Sequence, residues 1–228
     1  MANAERFDSF AKDASAARVS LFNDLEVTSI GIVFEQQARD AGFRFIAGLD
    51  EVGRGCLAGP VVAGACILDL DKPLPKGLND SKKLTANKRD EIAAQLKLNC
   101  IAYAIGQVEA EEIDRINILE ATKKAMLLAI DGLSPAADFL LIDVLQLKGS
   151  KLRQQAIIKG DTISASIAAA SILAKTYRDD LMKAYDIEYP QYGFAGHKGY
   201  GAASHFEAIR THGACVLHRK SFKGVLPL

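Results

Sequence analysis

Gly48-Leu49-Asp50-Glu51-Val52-Gly53-Arg54-Gly55 is the stretch on which the chain turns. It lies between two apolar runs, Phe45 to Leu49 and Val61 to Leu70. Neighbouring side chains of a strand point to opposite faces, so Asp50 and Glu51 would suit a solvated strand end. The glycines argue for more. Glycine serves where the backbone turns sharply or approaches another molecule closely. Flanking Arg54, Gly53 and Gly55 form a loop able to offer backbone groups and one fixed charge to a ligand. Carboxylates beside such a loop suggest a metal ion and a phosphate.

Working outward, Phe45 to Leu49 reads as a strand, and Val61 to Leu70, β-branched at its start, as a second. Ala58-Gly59-Pro60 between them is turn chemistry, and Asp69 to Lys76 is a loop. Thr85 can cap a helix to about Leu98. Cys100 to Val108 is strand-like, and Glu109 to Ile130 holds one or two helices. Asp138 to Asp143 and Gln155 to Lys159 are short strands. Thr162 to about Tyr185 is the longest helix, and Ser204 to Thr211 another, with Gly213 suited to stop it. Strands alternating with helices imply a mixed α/β domain. Two early hairpin-like strands before the helices suggest an antiparallel edge on a partly parallel sheet. Residues 1–42, with Leu21, Leu25, Ile30 and Phe34 among polar positions, read as an N-terminal helical extension whose first dozen residues are disordered.

A chain of 228 residues, 49% hydrophobic, can bury one substantial core. The net charge is zero, but it is unevenly spread. Residues 1–144 hold 16 basic against 22 acidic side chains, a balance of −6, and residues 145–228 hold 12 against 6, a balance of +6. A basic C-terminal third is what a phosphate-backbone surface would give; exposed helix faces would give it too. Cys56, Cys66, Cys100 and Cys215 lack the C-x-x-C spacing of a zinc site, and a reducing, cytoplasmic compartment follows as the expectation. The N-terminus has no signal-peptide core, and no stretch reaches the ~20 apolar residues needed to span a bilayer.

Four carboxylates fall where elements begin or end: Asp50, Glu51, Asp143 and Asp161. Asp161 could be a helix cap, and Asp143 a solvated strand end, with Asp138 at the other end of the same strand as its competitor. Clustered, the four would repel unless a cation compensates. Hard oxygen ligands suit Mg²⁺ or Mn²⁺, and no histidine lies beside them to argue for zinc.

Asp50 to Gly55, continued by Leu57-Ala58-Gly59-Pro60-Val61-Val62-Ala63, resembles the signature of type 2 ribonuclease H, the ribonuclease HII family. The resemblance runs on through Asp80-Ser81-Lys82-Lys83-Leu84, then Lys159-Gly160-Asp161 into Ala168 to Lys175 and Arg178-Asp179. It ends with Tyr192-Gly193-Phe194 and His197-Lys198-Gly199-Tyr200-Gly201. Five blocks in order cover roughly residues 43–224, the expected catalytic domain. The type 3 relative usually has threonine at Arg54 and an extra N-terminal domain. Val144 departs from the family, which often has glycine after the third acid; Cys56 and Val216 stand where proline is common.

The resemblance implies a ribonuclease H-like mixed sheet flanked by helices, with a helical C-terminal portion. It implies that Asp50, Glu51, Asp143 and Asp161 bind two metal ions, Mn²⁺ or Mg²⁺, for phosphodiester hydrolysis. The expected substrates are RNA–DNA hybrids and duplex DNA with single embedded ribonucleotides, cut on the 5′ side to leave 3′-hydroxyl and 5′-phosphate ends. Backbone groups of Gly53, Arg54 and Gly55 suit the 2′-hydroxyl that separates RNA from DNA. Tyr200 matches the tyrosine at the ribonucleotide–deoxyribonucleotide junction. Lys82, Lys159 and Lys198 are the best of the phosphate candidates, which also include Lys83, Lys175 and Arg178; Ser164 and Ser171 contact phosphate or pack in the helix. The protein is expected to act as a monomer, away from membranes. A DNA nuclease or resolvase is opposed by Arg54 between its glycines, and a non-catalytic hybrid-binding module by the four intact acids.

Overall fold

The structure, a computed structural model, describes residues 27–226. Leu21 and Leu25 of the expected N-terminal helix lie outside the described residues, whereas Phe34 falls in helix α1 (Val33–Asp40). Five strands follow, β1 (Ile46–Val52), β2 (Val61–Ile67), β3 (Ala102–Val108), β4 (Phe139–Asp143) and β5 (Arg153–Ile157), in one sheet of order β3-β2-β1-β4-β5. β2 is antiparallel to both its neighbours, and β1, β4 and β5 are parallel. This is the antiparallel edge on a partly parallel sheet that the two early strands imply.

β1 runs three residues further than its apolar run. The ladder to β2 continues through Asp50↔Gly64, Glu51↔Ala63 and Val52↔Val62, so both acids ride on a paired strand. β5 lies two residues earlier than expected. It is an edge strand, so its exposed positions are polar, and Lys159 at φ 56° has already left extended geometry.

Helix α2 (Ala86–Asn99) is capped by Thr85 through the Lys88 N–H. The apolar stretch after β3 divides into α3 (Ala110–Ile116) and α4 (Ile118–Asp131), because Asn117 at φ 68° ends one and its side chain accepts from Leu119 and Glu120 N–H to start the other. Helix α5 (Ala165–Glu188) is the longest, and α6 (Phe194–His197) and α7 (Ala203–His212) complete the described chain, α7 stopping at Gly213.

The sheet is covered on both faces. α4 brings Ala121, Ala125 and Met126 against Leu49, Ala65 and Leu140. α5 lies on the opposite face, with Ala169, Ala170 and Leu173 beside Cys66 and α2. It approaches closely because β1 has glycine beneath it: a Cβ at Gly48 would fall 2.0 Å from the Ser166 carbonyl carbon. α1 joins the core by burying Phe34 and Ala38 with Ile46, Phe139 and Ile167. A large side chain buried this way stabilises by ~1.5–3 kcal/mol. The C-terminal helices pack over the loop after β1, where Ala58 meets Met182, Tyr192 and Phe194, and Leu57 meets Ile209 and Val225.

Candidate active site

The register of the parallel strands builds the acid cluster. Leu49 pairs with Ile142, so the next residue on each strand, Asp50 and Asp143, comes up side by side at the carboxyl ends. Glu51 follows on β1. Asp143 pairs with Ile157 at the end of β5, and the 3₁₀ turn Gly160–Thr162 just beyond carries Asp161. Asp138 is at the other end of β4, where its two oxygens accept from Arg44 and Phe45 N–H at 2.8 and 2.9 Å. The acid that joins the cluster is therefore Asp143.

Asp50 is only 5% exposed. Burial first, then the charge of Glu51 and more weakly that of Asp143, push its carboxyl up to about 8, against the Ser171 hydroxyl and the Glu51 N–H at 2.8 Å. Burial also raises Glu51, opposed by the Arg54 guanidinium at 3.2 Å. Asp143 is raised by burial, with Asp161 adding, while the Gly160 N–H at 2.8 Å and Lys82 hold it back. Lys82 Nζ reaches Asp161 Oδ2 at 2.8 Å, and that bond raises the lysine. The cluster is short of positive charge, which a divalent ion would supply. Its donors are all carboxylate oxygens, a set that fits Mg²⁺ or Mn²⁺. Among the described residues no group of three His, Cys, Asp or Glu side chains converges on one point; cationic side chains lie against Glu51 and Asp161 instead.

Lys82 is presented by a braced turn. Asp80 Oδ1 accepts the Lys82 N–H at 2.9 Å, and the Ser81 hydroxyl meets that of Ser171, which also faces Asp50. Arg89 donates to the carbonyls of Ser81 and Leu84 and to Asp179. Ser171, buried, thus links the turn to the acids. Lys83 is exposed.

Two fully buried arginines shape the loop after β1. Gly53 has φ 91°, and a Cβ there would lie 2.3 Å from Arg178 Nε. Arg178 donates to the carbonyls of Pro60, Ala58 and Lys198 at 3.0, 3.0 and 2.8 Å. Arg219 donates twice to Gly59 O, at 3.0 and 2.8 Å, and to Arg54 O at 2.9 Å. The Leu57 N–H bonds Gly199 O at 2.8 Å. Residues 53–60 and 198–200 are therefore one fixed unit. Arg178, read from the sequence as a phosphate contact, is instead a buried clamp. No sequence signal separates such an arginine from a surface one; only its carbonyl partners do.

Other expected contacts divide. Gly55 has open space around its Cα, and Lys159 is exposed. Ser164 is fully buried, caps α5 and donates to Glu35 at 2.6 Å, so it meets no surface where phosphate could reach it. Lys175 is paired with Asp179 at 2.6 Å. Lys198 bonds Ala195 O and lines a separate cleft with Arg89, Lys175 and Lys183, a lining to which none of the four acids contributes. Tyr200 is 42% exposed beside Cys56, the ring half in solvent, with burial and Cys56 raising its hydroxyl.

Tyr200 stands on a histidine relay that the sequence did not reveal. The Cys215 N–H points at His218 Nδ1 at 3.0 Å, so that nitrogen is the acceptor and Nε2 carries the proton. His218 Nε2–H then donates to His205 Nε2 at 3.1 Å, and His205 Nδ1–H to Tyr200 O at 2.8 Å. His197 stacks on His205, its ring centroid 4.2 Å away.

A mixed sheet wrapped by helices, with carboxylates at the ends of its central parallel strands, defines a ribonuclease H-like hydrolase. Comparison with known proteins carries this further. The ribonuclease HII family profile matches residues 47–225. The ribonuclease HII of Syntrophomonas wolfei is 52% identical over 192 residues, 84% of this chain and 75% of that protein. That of Chlamydia caviae is 58% identical over 192 residues, 83% and 89% of the two chains. Among solved structures, the ribonuclease H2 of Pyrococcus horikoshii aligns with a TM-score of 0.66 at 24% identity, over 80% of this chain and 95% of that one. The ribonuclease HII of Archaeoglobus fulgidus, solved in complex with PCNA, aligns with a TM-score of 0.66 at 26% identity, over 81% and 97%. The chain belongs to the ribonuclease HII family, and it is an endonucleolytic hydrolase.

Proposed function

We propose that this enzyme cleaves the RNA strand of RNA–DNA hybrids and cuts 5′ of single ribonucleotides in duplex DNA, leaving 3′-hydroxyl and 5′-phosphate ends. Its biological task is to remove misincorporated ribonucleotides and primer remnants. It acts as a cytoplasmic monomer on nucleic acid, away from membranes. The observation that carries the reading is the juxtaposition of Asp50 and Asp143 on adjacent parallel strands, near enough to Glu51 and Asp161 for their charges to act on one another. These four residues would hold two divalent ions, Mg²⁺ or Mn²⁺. When bound, such ions polarise the phosphate, activate water and stabilise the leaving oxygen.

The chain's own groups select and orient the substrate. The clamped Gly53-Arg54-Gly55 backbone reads the 2′-hydroxyl, with Gly55 open enough for close approach. Arg54, held by Glu51, ties that reading to the acids. Lys82, braced next to Asp161, and Lys159 neutralise phosphates, with Lys198 further along the surface. Tyr200 packs its half-exposed ring on the sugar at the RNA–DNA junction.

The test is cleavage of a duplex containing one ribonucleotide, with Mn²⁺ or Mg²⁺ and with EDTA. Cleavage 5′ of the ribonucleotide that EDTA abolishes is expected; cleavage of an all-DNA duplex, or none with either metal, would overturn the reading. Tyr200→Ala should lose ~1–3 kcal/mol of transition-state stabilisation on the single ribonucleotide, less on a continuous hybrid, with an unchanged melting temperature. Equal losses accompanied by a lower melting temperature would make Tyr200 structural.

A further inference from the structure

Helix α1 lies outside the segment matched by the family profile, residues 47–225, yet it reaches into the site. Glu35, on its first turn, is 1% exposed. Its Oε1 accepts from the Ser164 hydroxyl at 2.6 Å, the Ser166 N–H at 2.8 Å and the Ser166 hydroxyl at 2.6 Å. These are groups of the first turn of α5, which the carboxylate caps from a different helix. Its other oxygen has no hydrogen-bond partner. Leaving a buried carboxylate oxygen unpaired is costly, so mere packing is a poor reason for a charge here.

The chain just before α1 grips the same place. Gly31 N–H donates to Ile163 O at 3.2 Å, and Ala165 N–H to Gly31 O at 2.9 Å. These contacts hold the C-terminal end of the turn from Gly160 to Ser164. That turn closes on itself through Ile163 and Ser164 N–H to Gly160 O. It carries Asp161, and its Gly160 N–H holds Asp143 Oδ1. One turn thus sets two of the four acids, and residues 31–35 hold that turn from behind.

We propose that Glu35 is a positioning residue: through Ser164 and Ser166 it fixes the Gly160–Ser164 turn, and so sets the aim of Asp161 and Asp143 at a divalent ion. The proposal rests on the reading of those acids as ion ligands. Residues that orient ligands from behind commonly change metal affinity by 10–100-fold when removed. Glu35→Ala loses all three hydrogen bonds. Glu35→Gln keeps a carbonyl oxygen to accept them.

The experiment is titration of Mn²⁺ alone into the full chain by calorimetry, with thermal melting of each variant. Glu35→Ala should weaken Mn²⁺ binding by about tenfold or more, and Glu35→Gln should bind within about threefold of wild type. Lower melting temperatures in Glu35→Ala with wild-type Mn²⁺ affinity would overturn the proposal, leaving Glu35 as a cap and nothing more. If Glu35→Ala does not fold, Ser166→Ala, which deletes the hydroxyl's bonds to Glu35 and Ser164, must weaken Mn²⁺ binding measurably, and unchanged binding there overturns it too. Asp161→Asn is the control: if it also binds Mn²⁺ like wild type, the metal reading fails, and this inference with it.

Discussion

At Val144 the backbone takes φ 61° under a β-branched, 61% exposed side chain, directly after Asp143. The left-handed region costs a non-glycine residue ~1–2 kcal/mol, more when the side chain is β-branched. The sequence showed only that valine replaces a common glycine; the strain is why glycine suits the position. Val144→Gly should stabilise the fold by ~0.5–1 kcal/mol, after allowing for glycine's greater freedom in the unfolded chain, and urea denaturation would measure it. Cleavage should survive, since the Val144 side chain is mostly in solvent. Asp50→Asn works on the opposite balance. It removes a buried carboxyl whose ionised form burial and the Glu51 charge already penalise, so the metal-free protein should melt no lower than wild type. It also removes a proposed ion ligand, so cleavage should fall to the level seen with EDTA while hybrid binding persists. Melting curves together with binding and cleavage assays check both halves, and a lower melting temperature would mean that the Asp50 bonds to Ser171 and the Glu51 N–H outweigh the cost of burying it.

Among the elements, helix α5 depends on what β1 lacks. A methyl on Gly48 would press into the Ser166 backbone, where no flexible side chain can give way. Gly48→Ala should destabilise by ~1–3 kcal/mol and, by lifting Ser171 from Asp50, reduce cleavage as well. The histidine relay makes a different demand. Burial and His205 push His218 down to about 4, and burial lowers His205. Below the ordinary value near 6.5 the unfolded chain takes up protons that the folded chain refuses. The histidines' contribution to stability is therefore full above about pH 6.5 and is lost as the pH falls toward 4. The raised Asp50 acts with the opposite sign but equally in wild type and His218→Gln, so the difference between their urea midpoints should shrink as the pH falls through that window. These elements also mark what could be read in advance. The central strands and α5 announced themselves through apolar runs, and Asp50 and Glu51 through their glycines. β5 did not, because an edge strand has polar exposed positions. Glu35, Arg178 and Arg219 did not, because their partners lie far off in sequence, and the histidines did not, because a buried polar side chain leaves no local pattern.

Across the whole molecule, the charge asymmetry read from the sequence meets a more selective surface. Several basic residues of the C-terminal third are occupied: Arg178 and Arg219 by carbonyls, and Lys175 by Asp179. Lys159 is exposed, and Lys82, from outside that third, is paired with Asp161 but keeps most of its side chain in solvent, so these two are the clearest phosphate candidates. Lys82→Ala and Lys159→Ala should each shallow the slope of log affinity against log salt by roughly one unit or less. A slope unchanged in both would put the nucleic acid on another face. The buried arginines also bear on how the protein is made. Arg219 closes on the Arg54 carbonyl from 165 residues further along the chain. At ~5–20 residues per second, a ribosome needs roughly 10–30 s to bridge that interval. For all that time the nascent chain carries its acids but lacks one of the two arginine clamps on residues 53–60. If that loop reads the 2′-hydroxyl as proposed, a chain broken off before Arg219 keeps its carboxylates and the Arg178 clamp but should discriminate ribose from deoxyribose less sharply.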